Sequence, residues 1–484
     1  MEYEIVIGME VHAQLSTETK MFCRCSADIV DQPPNSVVCP VCLGMPGALP
    51  TINGKAVEYS YMTALALECR VSQGQVWFDR KNYFYPDLPK GYQISQHSSV
   101  VGRDGILPIE LDGVRKEIGI SDVHLEEDTA RLYHREDGED RYTLMDFNRS
   151  GVPLLEIVSR PDMRSPGEAK AYVQELRKLL RYLKVGSGDL EAGSFRCEAN
   201  ISLREKGSQA FGSRVEIKNM NTFQAVEHAL QSEVERQARL LEAGRRVVQQ
   251  TVGWREELGR TEPQRLKEEA HDYRYFPEPD LPPFTISTSW IEDLRRQVPE
   301  LPSEKRDRFG RDYGLAEYDV VLLTEDSSLA RYFEECVEHY PQPKAVSNWI
   351  TGELFRLLNL SGLGIGEVKV RPRQLAGLLQ MVDAGEINIS TAKAVFEEMF
   401  ASGRDPEEIT SEGDLAQISD ADELASVVDQ VLRDNPDAVS DYQAGKTQAL
   451  RFLVGQVMKA TRGKANPQTV EGLLRERLRG KGTQ

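Results

Sequence analysis

The chain has 484 residues, 40% hydrophobic and 28% charged, enough for more than one buried core and for about three domains. Gly (37) and Pro (24) stand at ordinary levels, which excludes a collagen-like or wholly disordered chain. Lys+Arg 59 against Asp+Glu 77 leaves a net charge of −18, so phosphate binding must rest on a local group of cations and not on the chain as a whole.

The start, Met1-Glu2-Tyr3-Glu4-Ile5-Val6, reads as strand and carries no basic-then-apolar leader. No apolar run approaches the ~18 residues of a membrane span. Together these predict a cytoplasmic protein. The first strand, Glu4–Leu15, alternates with period two. Glu10, His12 and Gln14 fall on one face, and Met9, Val11, Ala13 and Leu15 on the other. A Glu-x-His pair on one strand face can ligate a divalent cation, although exposed amphipathic strands carry such pairs routinely.

Cys23-x-Cys25 and Cys39-x-x-Cys42 follow, separated by 13 residues. Two close pairs joined by such a loop present four thiolates to one tetrahedral zinc. The alternatives are four surface thiols or a redox pair. Four protein ligands close the coordination sphere, so a zinc here is structural. Cys69, Cys197 and Cys336 are isolated and read as ordinary buried cysteines.

Further strands are predicted at Val76–Phe78, Ile106–Leu111, Val114–Ile120, Tyr142–Phe147, Pro153–Val158, Ala199–Leu203 and Arg214–Ile217. Two segments carry carboxylates of interest: Glu126 and Glu127 in His124-Leu-Glu-Glu-Asp128, and Glu156 inside the apolar run Pro153–Val158. A carboxylate in such a run needs a cation, either an arginine or a metal. Hard oxygen donors with one imidazole suit Mg²⁺ or Mn²⁺.

Two long helices interrupt the strands. One starts at Ser165-Pro166, an N-cap followed by an N1 proline, and continues through Leu176, Leu180 and Leu183. The other runs from Asn221-Thr222 to Gly244. Strands with helices inserted irregularly predict an α+β fold.

A proline-rich passage, Pro277-Glu-Pro-Asp-Leu-Pro-Pro283, marks the edge of this unit. Beyond Trp290 the punctuation is helical. Starts are expected at Ser303, Ser390, Asp405-Pro406, Asp420 and Asn466-Pro467, and stops at Gly385, Gly403, Gly445, Gly463 and Gly480. Three domains result: 1–293, 294–403 and 404–484. The end of the chain is charge-segregated: residues 397–442 carry a net −12 and residues 443–484 a net +7. Lys446, Arg451, Lys459, Arg462 and Lys464 lead the basic set, which is either a phosphate-facing stripe or a solvated face paired with the acidic segment. Gly445-Lys446-Thr447 is not a P-loop, because Ser440 occupies the position of its first glycine.

Several long motifs carry a resemblance. They are Ile7-Gly-Met-Glu-Val-His-Ala-Gln14, Phe78-Asp-Arg-Lys-Asn-Tyr-Phe-Tyr-Pro-Asp87, Gly91-Tyr-Gln-Ile-Ser-Gln96, His124-Leu-Glu-Glu-Asp128, Asp146-Phe-Asn-Arg149, Pro153-Leu-Leu-Glu-Ile-Val158 and Asp272-Tyr-Arg-Tyr-Phe-Pro-Glu-Pro-Asp280, with Phe452–Lys459 and Ala465-Asn-Pro467 in the tail. Over essentially its whole length the chain resembles the B subunits of bacterial tRNA-dependent amidotransferases.

The resemblance implies a glutamine-synthetase-like cradle with a mixed or antiparallel sheet, then an all-helical domain and a small helical tail that binds tRNA. It implies an ATP-dependent ligase. The side-chain carboxylate of misacylated Glu-tRNA(Gln) or Asp-tRNA(Asn) is phosphorylated, and ammonia from a glutaminase, the A subunit, displaces the phosphate. A small C subunit joins the two. The other reading is a non-catalytic tRNA-binding scaffold. By resemblance, Glu10, His12, Glu126 and Glu156 hold Mg²⁺, and Lys81 and Glu127 lie at the mouth of the ammonia channel as a charged pair. Arg196, Glu198, Asn200, Glu216, Lys218 and Asn219 are candidates for the ATP face. Two positions depart from the family pattern: Glu198 stands where Asp is usual, and Thr129-Ala-Arg131 follows Asp128 where a small pair and Lys are usual.

Overall fold

The computed structural model describes residues 3–138, 140–266, 272–413, 421–461 and 465–480. The expected Asp420, Arg462, Gly463 and Lys464 lie outside these. The chain divides into two compact units, Met1–Glu304 and Lys305–Gln484.

The first unit is built on a nine-stranded sheet. Its strands are β1 (Tyr3–Gln14), β2 (Arg70–Val71), β3 (Gly102–Leu111), β4 (Val114–Glu127), β5 (Pro153–Ser159), β6 (Phe195–Glu205), β7 (Val215–Lys218), β8 (Gln250–Arg255) and β9 (Arg260–Leu266). The spatial order is β9-β8-β7-β6-β1-β5-β4-β3-β2. The β7–β8 pair is parallel and the other pairs are antiparallel. The first strand in the chain is therefore central, flanked by β5 and β6.

Its alternation is the one read from the sequence. Met9, Val11 and Ala13 are buried in the main apolar cluster, each large side chain contributing roughly 1.5–3 kcal/mol on burial. That face is covered by α2 (Pro166–Tyr182) and α3 (Phe223–Glu242). Both start as predicted. Ser165 Oγ accepts from Glu168 N at 3.1 Å, and Thr222 Oγ1 from Ala225 N at 3.0 Å. Gly244 follows α3 with φ +67°, the left-handed conformation a helix stop favours.

The sequence reading misses α1 (Gly54–Ala66). Most of this helix is buried, including Ser60 and Thr63, so it has no polar stripe to make a helical period visible. The strand expected at Val76–Phe78 is Gly74–Val76 instead. Asp79–Asn82, Tyr92–Ser95 and Phe276–Pro277 form a separate three-stranded sheet. Arg131–Asp137 and Asp140–Asp146 form a hairpin.

Among the described residues beyond Ile286 all regular elements are helical. The second unit holds two apolar clusters, one from Phe309 to Ile409 and one from Leu424 to Leu478. Ile409, beyond the expected boundary at 403, belongs to the first of these. Its helix Pro406–Glu412 is tied back by Gln374 Nε2, which donates to Asp405 Oδ1 at 2.7 Å. Helix Ile389–Ser402 is capped by Asn388, two residues before the expected Ser390, and stops at Gly403 with φ +80°. No described helix is long and apolar enough to cross a membrane.

Candidate active site

The polar face of the central sheet gathers the charged residues. Antiparallel register sets His12 opposite Glu156 on β5 and Arg196 on β6, and sets Glu10 opposite Glu198. On the next strand out, His124 lies opposite Glu156 and Glu126 opposite Leu154. His12 Nε2 is 3.5 Å from Glu156 Oε2 and 3.8 Å from Glu126 Oε1. One ligand atom from each of His12, Glu126 and Glu156 falls within 4.8 Å of the others. This donor set has the span and hardness for one divalent cation.

Three of the four residues expected around the ion thus converge. Glu10 stands apart from the trio, two residues along β1, and accepts from Asn200 Nδ2 at 2.7 Å. Burial, then the neighbouring Glu156 and Glu198 charges, push its carboxyl above the usual range.

Among the described residues Glu156 has histidine partners and no arginine. His124 Nε2 lies 2.7 Å from Glu156 Oε2, and His124 Nδ1 lies 3.1 Å from Asp122 Oδ1. Burial opposes ionisation of Glu156, but the two imidazoles outweigh it and hold the carboxyl well below its ordinary range. Glu126, buried and facing Glu156, is pushed up, with Lys81 and His12 acting in the other direction. Its Oε2 accepts from Ser95 Oγ at 3.2 Å. His124 has no assigned role in the sequence reading, although its signal is there: two residues before Glu126, it shares that residue's strand face.

Lys81 is brought to this cluster. Burial disfavours its charge, yet Glu126 leads a set of neighbours, Glu156 among them, that keep the ammonium above the usual lysine range. It lies 5.2 Å from the Tyr273 ring centroid. The expected pairing of Lys81 with Glu127 does not form. Glu127 pairs with Lys90 and accepts from Ile94 N at 3.0 Å. Adjacent strand residues point to opposite sides, so Glu126 lies on the side from which it acts on Lys81 and Glu127 on the other.

The residues expected on the ATP face lie on β6, on β7 and just beyond it; Lys218 engages Glu198 and Glu216, while Arg196 engages Asp128 and Asn200 engages Glu10. Arg196 donates to both oxygens of Asp128, at 3.1 and 2.9 Å. Burial opposes the charge of Asp128, but Arg196 and Arg149 lower its carboxyl to about 2. Lys218 sits 2.8 Å from Glu198 and 3.2 Å from Glu216. Asn219 follows β7 in the left-handed conformation, φ +66°. Two cavities open beside the cluster. One, of about 340 Å³, runs from Glu10 and Asn200 along Val6, Val158, Ile201, Phe211 and Arg214. The other, of about 450 Å³, is lined by Glu156, His124, Lys81, Arg103 and the stacked rings of His97 and Tyr275.

The cysteine quartet converges as its spacing predicts. The four sulfurs lie within 4.8 Å of one another. All four are free thiols, as are the buried Cys69, Cys197 and Cys336. Cys39 N donates to Cys42 Sγ at 3.1 Å. The Cys23 hydrogen bond, outweighing burial, leads the influences that lower Cys42 to about 5, while burial raises Cys25 to about 11.

In the second unit, Arg451 and Lys459 lie exposed on helix Gln448–Ala460. Lys446 is engaged by Asp441 at 2.8 Å.

Residues 5–292 match the family model described as the GatB/GatE catalytic domain, and residues 331–478 match the GatB domain. The chain is 52% identical over 478 residues to the B subunit of the aspartyl/glutamyl-tRNA(Asn/Gln) amidotransferase of Carboxydothermus hydrogenoformans, covering 99% of each chain. It is 53% identical over 478 residues to the corresponding protein of Moorella thermoacetica, covering 99% of this chain and 100% of the relative. Against that of Dehalococcoides mccartyi it is 51% identical over 488 residues, with 99% of each chain covered. Matched from its central strand to its last helices, the chain belongs to the GatB/GatE family.

Proposed function

We propose that this chain is the B subunit of a multi-subunit tRNA-dependent amidotransferase, acting as its ATP-dependent amide-forming ligase. The observation that carries the reading is the convergence of His12, Glu126 and Glu156 beside Lys81. A scaffold has no need to concentrate these groups on one buried face, so the cluster favours the enzyme over the scaffold.

The substrate is a misacylated tRNA, Glu-tRNA(Gln) or Asp-tRNA(Asn). Its side-chain carboxylate is a poor electrophile because its leaving group would be oxide. Transfer of the γ-phosphoryl group of ATP to a carboxylate oxygen gives an acyl phosphate and ADP. Ammonia then attacks the carbonyl carbon, inorganic phosphate leaves with the C–O bond electrons, and the nitrogen loses a proton to give the amide.

The chain's own residues meet the demands of this reaction. His12, Glu126 and Glu156 are the residues to hold Mg²⁺, which when bound screens the carboxylate from the triphosphate. Lys81 adds a fixed cation beside them. His124 holds the Glu156 carboxylate in place. The cavity from Glu10 to Phe211 suits the nucleoside of ATP, with an apolar wall for the base and Arg214 at its rim. The cavity between Glu156 and Tyr275 suits the aminoacyl end. Zinc in the cysteine quartet, with all four positions filled by thiolate, is structural.

The tail segment with its net +7 contacts the tRNA backbone through phosphates and shape. A glutaminase, the A subunit, supplies ammonia, and a small C subunit completes the assembly in the cytoplasm. Reconstitution with both partners on each misacylated tRNA tests the reading. ATP-dependent formation of Gln-tRNA or Asn-tRNA is expected. Amidation of free glutamate without tRNA would instead indicate a small-carboxylate ligase.

A further inference from the structure

Lys20 is fully buried, at 0% exposure. Removing an ammonium from water costs several kcal/mol unless an anion and hydrogen-bond acceptors replace the solvent. Its Nζ donates to Val37 O at 2.8 Å and approaches Cys42 Sγ at 3.8 Å. Among the described residues no carboxylate forms an ion pair with it. The nearby acid, Glu127, is already taken by Lys90 and Ile94 N.

The surroundings are tight. A Cβ at Gly151, which has φ +86°, would meet Cys42 Cβ at 3.4 Å and Lys20 Cδ at 3.5 Å. The Lys20 stem and the Cys42 strut are thus packed against the same point of backbone. Lys20 N donates to Cys25 O at 2.9 Å, so the residue is fastened to both cysteine pairs. Four thiolates around a divalent zinc leave a net charge of −2 on a half-buried centre. A buried cation with no carboxylate partner among the described residues thus stands against an anionic centre.

We propose that Lys20 is the internal counter-cation of the Cys23/Cys25/Cys39/Cys42 centre and governs how firmly it retains zinc. The inference rests on the reading of the quartet as a zinc site, independently of the amidation chemistry. Lys20 is a positioning and charge-balancing residue: it contacts no substrate.

The test uses the full chain, its zinc content, and zinc transfer to an excess of chelator. Wild type carrying about one zinc per chain is the expected starting point. A protein with no zinc and four freely reactive thiols overturns the zinc reading itself. Lys20→Met keeps the apolar stem without the charge, and Lys20→Gln keeps a donor for Val37 O without the charge. Both are expected to release zinc at least about tenfold faster, equivalent to about 1.4 kcal/mol. Zinc retention equal to wild type in either variant overturns the counter-cation role. Equal retention in Lys20→Gln alone assigns the effect to the hydrogen bond.

A second measurement needs no variant. In wild type, Lys20 is expected to resist amine acylation while zinc is bound and to become reactive as the chelator removes the metal that holds the anionic cluster together. Lys20 still protected after complete zinc removal overturns the proposal, whatever the variants do.

Discussion

His12 and Glu156 are directly opposed residues of β1 and β5, with the imidazole Nε2 3.5 Å from Glu156 Oε2. The same oxygen receives His124 at 2.7 Å. Glu156 is thus shared between a histidine of the central strand and a histidine of β4. Glu156→Gln keeps the size of the side chain and removes the charge both histidines use. Amidation is expected to fall at least about a hundredfold, with tRNA affinity within about twofold of wild type. Steady-state assays with filter binding check both. Unchanged turnover returns the reading to a scaffold.

Glu10 lies outside the trio and lines the cavity shared with Asn200 and Phe211. Glu10→Gln is therefore expected to raise the KM for ATP more than it lowers kcat. Equal losses in Glu10→Gln and Glu156→Gln, both in kcat, would place Glu10 with the trio after all.

Lys81 and Lys90 serve different carboxylates, and their removal has different consequences. The Lys90 and Glu127 side chains are 9% and 5% exposed. Lys90→Met strands a buried carboxylate, at a cost of about 3–5 kcal/mol. Lys81→Met is expected to cut amidation with little effect on unfolding. Denaturant unfolding of the full chain, read by hydrogen exchange at β4, separates the two. Comparable destabilisation by both variants would count against the distinction.

Asp128 gives a pH dependence with a definite sign. Its carboxyl is depressed from 3.8 to about 2 by Arg196 and Arg149. A depressed carboxylate stabilises the fold fully above its unfolded value and loses that contribution as pH falls through its folded one. The contribution is on the order of 2 kcal/mol. The stability gap between wild type and Asp128→Asn should hold steady above pH about 4 and shrink toward pH about 2. Hydrogen exchange at β4 and β6 across that range measures it. A gap that widens on acidification has the wrong sign.

In the tail, Arg451 and Lys459 have no acidic partner among the described residues, whereas Lys446 is held by Asp441. Replacing Arg451 and Lys459 by Gln is expected to weaken tRNA binding about tenfold and to reduce the salt slope by about one to two. Lys446→Gln should do less. Affinity measured against salt concentration decides this, and an unaltered slope would remove these two residues from the interface.

Much of this protein is written locally. The alternation of β1, the Ser165-Pro166 and Thr222 helix starts, the helical second half and the cysteine spacing depend on neighbours a few residues apart, and each appears in the structure close to its expected place. His124 is equally legible, since period two places it with Glu126. The helix Gly54–Ala66 is not, because a segment buried nearly all round shows no period.

Which carboxylate meets which cation was decided only by tertiary structure. The resemblance paired Lys81 with Glu127 and grouped Glu10 with His12, Glu126 and Glu156 around one ion. Packing instead gave Glu127 to Lys90, left Lys81 under the influence of Glu126 and Glu156, and set Asn200 of β6 on Glu10. The physical reason is that a charge pair forms across strands brought together from distant parts of the chain. A one-residue change of register would exchange the cross-strand partners of His12, Glu156 and His124 while leaving each strand's own pattern intact.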